Sequence, residues 1–297
     1  MKKSIYISAL FFALVSGMVS CIPEAVEIEI PQAPVKLVVA SQIIPENFII
    51  VQVSRSFGAL ESTNDSSGSG VSDDLLERIL ADSARVTITY RDGTDTLTNL
   101  GAGLYFSNVT RLYEGETYTL AVFDSTSGES VISTATVLPI VPLQDAGYYL
   151  DVINYDPNLP QLTDTLTRFI VELNDPSGEN FYMVNAYKIS LGDTAPGSGL
   201  FTQNSLSPTV TFFDKQYPNT VIRDTFTFDQ FAPGDTVALT LSNISKSYYE
   251  FLNTRQRSGE SIFSLLLKEP ITYPSNIEGG YGQFNLHLPS LALMIIQ

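Results

Sequence analysis

Few residues of this chain have a type and spacing that could do chemistry, and the first is its single cysteine, Cys21. Lys2 and Lys3 form a basic head, Ile5–Val15 is almost unbroken apolar sequence, and Ser16-Gly17-Met18-Val19-Ser20 runs up to the cysteine in mostly small residues. A charged head, an apolar core and a small residue before the break make a bacterial secretory signal. Cleavage there leaves a thiol on the first mature residue, suited to thioether attachment to diacylglycerol. The alternatives are an ordinary signal peptide or a membrane anchor with an incidental cysteine. The apolar run falls short of the roughly 20 residues a spanning helix needs.

No catalytic constellation stands out. His287 is the sole histidine, so a His-based metal cluster is excluded and any histidine-centred triad would have to use it. It falls on the polar side of an alternating tail, where Phe284, Leu286 and Leu288 face one way and Gln283, Asn285 and His287 the other, which predicts a surface histidine. Gly-x-Ser-x-Gly, Gly-x-Gly-x-x-Gly and phosphate-loop signatures are missing, as is EF-hand spacing. The 32 Asp and Glu residues offer many carboxylate pairs, and none is singled out. The expectation is a non-enzyme with no metal and no cofactor beyond a covalent lipid on Cys21.

The balance of 16 Lys and Arg against 32 Asp and Glu gives a net charge of -16. Residues 1–20 carry two lysines and no acid, so the remainder carries -18. That sign argues against nucleic acid as a partner and against docking on anionic headgroups. With one cysteine no intramolecular disulfide forms, so stability must come from burial and sheet hydrogen bonding. Fifteen Tyr, seventeen Phe, no Trp and abundant Val, Ile and Thr are strand composition.

Taken in order, the elements predict an all-β protein: a signal over 1–20, an acidic tether over 21–33, an immunoglobulin-like β-sandwich over 34–139, and a second β-rich domain over 140–297 with one or two short covering helices. Residues 36–40 and 48–53 read as a hairpin across Pro45-Glu46-Asn47. Ser62–Ser72 is a polar low-complexity run. A short helix follows Asp74, with Leu75, Leu76, Ile79 and Leu80 as its packing stripe. Val86, Ile88 and Tyr90 alternate with threonines up to a tight turn at Arg91–Thr94. Pro139 and Pro142 mark the domain boundary. Gly115-Glu-Thr-x-x-Leu and Gly234-Asp-Thr-x-x-Leu share turn-then-strand chemistry without establishing a repeat. A second helix follows Ser247, with Ser247 and Glu250 as its capping box, and covers an edge or face of the sheet.

Tyr273-Pro274-Ser275-Asn276-Ile277-Glu278-Gly279-Gly280-Tyr281-Gly282-Gln283-Phe284 is distinctive. With Glu269-Pro270, the Lys36-Leu-Val-Val opening, Gly103-x-Tyr105, Gly115-x-Thr-Tyr-x-Leu and Tyr248-Tyr249, it resembles a lipoprotein family named only as domain of unknown function 4249, common in Bacteroidota. The run into Cys21 resembles a lipobox, with Met18 where Leu usually stands. The resemblance covers nearly all of the mature chain. It implies a β-rich lipoprotein of the outer membrane, held by its N-terminal lipid and facing the cell surface if Glu24 and Glu27 act as an export signal. It also implies a TonB-dependent transporter as partner, and no activity. The expected function is an accessory of nutrient uptake. The alternatives are a stand-alone ligand- or glycan-binding or adhesion module, and a carboxylate-based hydrolase. For the glycine-rich segment, a structural turn or bulge is the first reading, and a ligand or partner loop presenting Asn276, Glu278 and Tyr281 the second. Asp followed by Ser or Thr and a small or apolar residue resembles the O-glycosylation acceptor of that phylum, which nominates Ser83, Thr96, Ser125, Thr165, Thr194 and Thr236. The same triplets also suit turn-to-strand transitions.

Overall fold

The computed structural model describes residues 34–44, 48–56, 73–154, 163–189, 209–228, 231–258 and 273–297. The signal, Cys21, the tether, the 62–72 run and Thr194 lie outside the described residues. Val35–Gln297 form one compact unit.

The protein is all-β. The predicted hairpin is present: β1 (Leu37–Ile44) pairs antiparallel with β2 (Phe48–Arg55), Leu37 opposite Arg55. After α1 (Asp73–Ile79), β3 (Ala84–Tyr90) and β4 (Gly93–Thr96) form the tight hairpin. Gly93 carries the positive φ (+139°) that this turn requires. β5 (Thr98–Gly101), β6 (Leu104–Ser107), β7 (Thr117–Asp124) and β8 (Ser130–Thr136) follow. Their alternate residues point inward, so β5–β6–β2–β1 and β4–β3–β7–β8 pack face to face over Val39, Val51, Val53, Val86, Ile88, Leu120 and Val122. This is the A-B-E-D against C′-C-F-G arrangement of an immunoglobulin-like sandwich. It carries a tyrosine corner. Near the start of strand F, the Tyr118 hydroxyl donates to the Arg111 carbonyl (2.7 Å) and accepts the Tyr113 amide (2.8 Å).

The second half repeats this order. β9 (Leu143–Asn154), β10 (Thr163–Asn174) and β13 (Val221–Phe228) form one sheet, in order β13–β10–β9. β11 (Phe181–Ile189), β12 (Val210–Phe213), β14 (Thr236–Ile244) and β16 (Ser290–Ile295) form the other, in order β12–β11–β14–β16. Lettered in the same way, these are A, B and E against C′, C, F and G. The likeness of the two Gly-acid-Thr segments extends to their hydrogen bonds. Gly115 (φ +75°) donates to the Val137 carbonyl, and Val137 returns its amide to Glu116; Gly234 (φ +94°) donates to Ile296, and Ile296 returns its amide to Asp235. Each glycine turns the chain into strand F and ties it to the end of strand G. The shared words therefore mark equivalent positions of two like sandwiches.

β11 is buried along both faces from Phe181 to Ala186. Tyr182, Val184 and Ala186 face the sandwich core, while Phe181 and Met183 lie under α2 (Lys246–Ser258), packed with Leu252 and Ile244. The second predicted helix is thus present and covers a sheet face. Its cap is Ser245, not Ser247: the Ser245 hydroxyl accepts the Tyr248 amide, and the Ser245 carbonyl accepts the Tyr249 amide. Of the predicted α1 stripe, Leu76 is 40 % exposed while Ile79 and Leu80 are half-buried, and the C-terminal end of the helix is held by the Arg55 guanidinium, which reaches the Glu77, Arg78 and Leu80 carbonyls.

Strands F and G of the second sandwich are not joined directly. Between β14 and β16 the chain makes α2 and then runs through 273–289, where β15 (Tyr281–Gln283) pairs parallel to β1 of the first sandwich. Ile277, Phe284 and Leu286 belong to the first sandwich's core, although sequence order placed them with the second domain.

Candidate functional site

The glycine-rich segment is a clasp between the two sheet edges of the first sandwich. On one side Glu278 and Ile132 of β8 exchange main-chain bonds (2.8 and 3.3 Å). On the other, Val38, Val39 and Ala40 of β1 pair with Tyr281, Gly282 and Gln283. The backbones meet closely enough that side chains are excluded. A Cβ at Gly280 would lie 2.4 Å from the Leu37 carbonyl oxygen, and one at Gly282 (φ +107°) 1.9 Å from that of Val39. Ile277 fills the opening between the edges and is buried.

Asn276 is spent on this architecture. Its Nδ2 donates to the Phe284 carbonyl (2.7 Å) and the Thr134 carbonyl (3.3 Å), its Oδ1 accepts the Phe284 amide (2.9 Å), and its own carbonyl accepts the Ser133 hydroxyl (2.8 Å). It ties the clasp rather than presenting itself to a ligand. Tyr281 is 55 % exposed, and Glu278 is exposed.

His287 is a correction. It is buried, and so are its companions Gln283 and Asn285, because the tail is covered on both sides. Most of the polar side is satisfied internally, Gln283 Nε2 donating to the Pro274 carbonyl (3.0 Å) while its Oε1 is buried without a partner among the described residues. The Ser41 hydroxyl donates to the Asn285 carbonyl (2.8 Å) and accepts its amide (2.7 Å), while Asn285 Nδ2 lies 3.0 Å from His287 Nδ1. Burial pushes the His287 pKa down to about 4, so the ring is neutral at pH 7 and accepts from Asn285.

A second polar cluster joins strands B and F to the F–G turn. Arg55 grips Asp124 through Nε (2.7 Å) and Nη2 (2.9 Å), with Asp124 fully buried. Asp124 also accepts the Ser83 hydroxyl and the amide and hydroxyl of Ser127. Burial alone would raise the Asp124 carboxyl, but the bonds from Arg55, Ser127 and Ser83 outweigh it and hold the carboxyl well below its usual range. Ser83 and Ser125 meet here, since the Ser125 hydroxyl donates to the Ser83 carbonyl (3.1 Å). Thr96 and Thr165 lie exposed on separate strands, and Thr236 is half-buried at the start of β14. Apart from the Ser83–Ser125 contact, the nominated hydroxyls are scattered. Among the described residues, no group of three or more His, Cys, Asp or Glu is placed to hold a metal.

The open surface beside the clasp is the outward face of β4–β3–β7–β8. Four Thr-x-Thr pairs stand on its four strands: Thr87 and Thr89, Thr94 and Thr96, Thr117 and Thr119, Thr134 and Thr136. Cross-strand register aligns Thr94, Thr89, Thr119 and Thr134 in one row, and Thr96, Thr87, Ala121 and Ile132 in the next. The bridge to Ile132 extends that second row to Glu278 on the same face. At this end a shallow groove of about 220 Å³ lies between Arg85, Thr87, Ala121, Phe123, Ser130 and Ile132. Phe123 and Ile132 are 47 % and 49 % exposed. Sequence reasoning singled out Glu278 but missed Arg85, Phe123 and Ile132. The repeated Thr-x-Thr was the available signal, and only pairing across strands assembles it into a surface.

With this geometry in view, the chain can be set beside known proteins. A family model described as "Domain of unknown function (DUF4249)" matches residues 24–287. A two fibronectin type-III domain segment from chicken tenascin is similar at 9 % identity and a TM-score of 0.22, over 86 % of this chain and 97 % of that one. No curated protein matches the chain.

Proposed function

The chain belongs to the family described as domain of unknown function DUF4249, over residues 24–287, and from that premise we propose that it is a non-catalytic lipoprotein, anchored in a Bacteroidota outer membrane by lipid on Cys21 and serving a TonB-dependent uptake system. The observation that carries the reading is the order of parts around Cys21. A basic head, an apolar run and small residues precede the thiol, and the family's body begins three residues after it. The body then offers two sandwiches of one strand order, a scaffold whose polar clusters at Asp124 and Asn276 hold strands together. The resemblance noted in the sequence supplies the transporter as partner.

The test is purification of the tagged protein from detergent-solubilised outer membranes, together with a Cys21→Ser variant. Co-purification of a TonB-dependent transporter with the lipid-labelled protein, and loss of labelling and membrane fractionation in the variant, are expected. A Cys21→Ser protein that stays in the membrane overturns the anchor. Repeated purification without a transporter overturns the partnership.

A further inference from the structure

We propose that the threonine-rich outward face of β4–β3–β7–β8, with the groove beside the clasp, binds an uncharged oligosaccharide segment. This goes beyond the uptake reading and does not depend on the anchor or the transporter. Threonine suits any exposed sheet, so the eight threonines alone carry little. Three further features converge on the ligand.

The first is charge. In a protein of net charge -16, the outward positions of these four strands hold no carboxylate and one cation, Arg85. Glu278 stands at the opposite margin, beside Ile132. Among the described residues, neither the Arg85 guanidinium nor the Glu278 carboxylate is engaged in a hydrogen bond or ion pair. One free donor fork and one free acceptor thus flank a neutral strip. That suits hydroxyl groups, which donate and accept; an anion would meet Glu278 and the surrounding acidic molecule.

The second is amphipathy. A pyranose has an apolar C–H face and a polar rim. Phe123 and Ile132 expose apolar surface in the groove floor, Thr87, Ser130 and Arg85 stand around it, and Glu278 follows Ile132 on the bridged segment. An apolar floor with a few placed polar groups is how ligand sites fix orientation.

The third is shape. The groove's 220 Å³ is below the roughly 300–1,000 Å³ that encloses a small molecule. From β3 to Glu278 the row crosses three pairings at about 4.8 Å each, or about 14 Å. A site this shallow and long matches a chain laid across the surface rather than a molecule swallowed by it. A protein partner fits less well, since threonine and serine are poor in binding energy at protein interfaces.

The experiment is affinity electrophoresis of the full chain carrying Cys21→Ser, through native gels containing soluble starch, hydroxyethyl cellulose or polygalacturonate, against a gel with no polysaccharide. Retardation in at least one neutral gel is expected, weakened at least tenfold in apparent Kd by Phe123→Ala and by Glu278→Gln. Leu293→Ala, at an exposed site on β16, leaves it unchanged. Unaltered mobility in both neutral gels overturns the proposal. So does retardation by polygalacturonate alone, or retardation that both face variants leave intact.

Discussion

Gly282→Ala is the most exacting perturbation of the clasp. The new Cβ meets backbone only: it would stand 1.9 Å from the Val39 oxygen, 2.8 Å from its carbonyl carbon and 3.0 Å from its nitrogen. No side chain can swing away, so β15 must leave β1. Gly178 provides the reference. It has a similar φ (+118°, against +107°), but nothing lies within 4 Å of its Cβ position. Gly178→Ala therefore reports backbone strain alone, about 1–3 kcal/mol. Gly282→Ala adds the loss of three register pairs and partial withdrawal of Ile277 and Phe284, each worth roughly 1.5–3 kcal/mol when fully buried. The expected cost is about 4 kcal/mol in all, a large share of the ~5–15 kcal/mol of a typical domain. Urea unfolding followed by far-UV circular dichroism gives the magnitude, and amide exchange gives the location. Protection should fall in β1 and β8 and persist in β11 and β14. A Gly282→Ala protein within about 0.5 kcal/mol of Gly178→Ala would show that the close approach at Val39 does not hold the clasp in place.

Two other perturbations probe the buried polar groups. His287 has a folded pKa of about 4 against an ordinary 6.5, so between these values the unfolded chain binds a proton that the folded one does not. Stability is whole above pH 6.5 and falls as pH drops toward 4, by up to about 3 kcal/mol. His287→Gln should flatten that slope in urea titrations at pH 7, 6 and 5; superimposable slopes would place the ring in water. Asp124, whose carboxyl is held low, contributes stability above its ordinary value of 3.8 that is lost only below it, so the two windows separate. Arg55→Ala leaves the Asp124 carboxylate buried without its cation and should cost about 3–5 kcal/mol at pH 7. A loss under 1 kcal/mol would mean that Ser83 and Ser127 suffice.

The chain shows how far local pattern carries. Alternation at Val86, Ile88 and Tyr90 and the glycine turn at 93 dictated a strand pair, because side-chain direction and permitted φ are properties of the residues themselves. The all-β class and the helix at 246–258 were legible for the same reason. Where the sequence pointed to the wrong residue, the deciding fact was how the chain is placed in the fold. Ser247 has a capping residue's chemistry, yet Ser245 is the one whose backbone leaves β14 at the helix start. His287 sits on the polar phase of an alternating tail, and alternation tells which residues share a side but not whether that side meets water.

Residues 276–284 divide the two sources of information most clearly. Their glycines announced close backbone approach or positive φ, and the sequence alone settled that much. Which backbone approaches was decided by the fold, which carries a loop between strands F and G of the second sandwich across to strands A and G of the first. The threonine face has the same origin. Thr-x-Thr is visible four times along the chain, but a row such as Thr94, Thr89, Thr119 and Thr134 exists only after pairing aligns three separate registers. Local conformation follows from each residue's own sterics. A surface depends on which strands become neighbours, and that is set by the burial of both sheets at once.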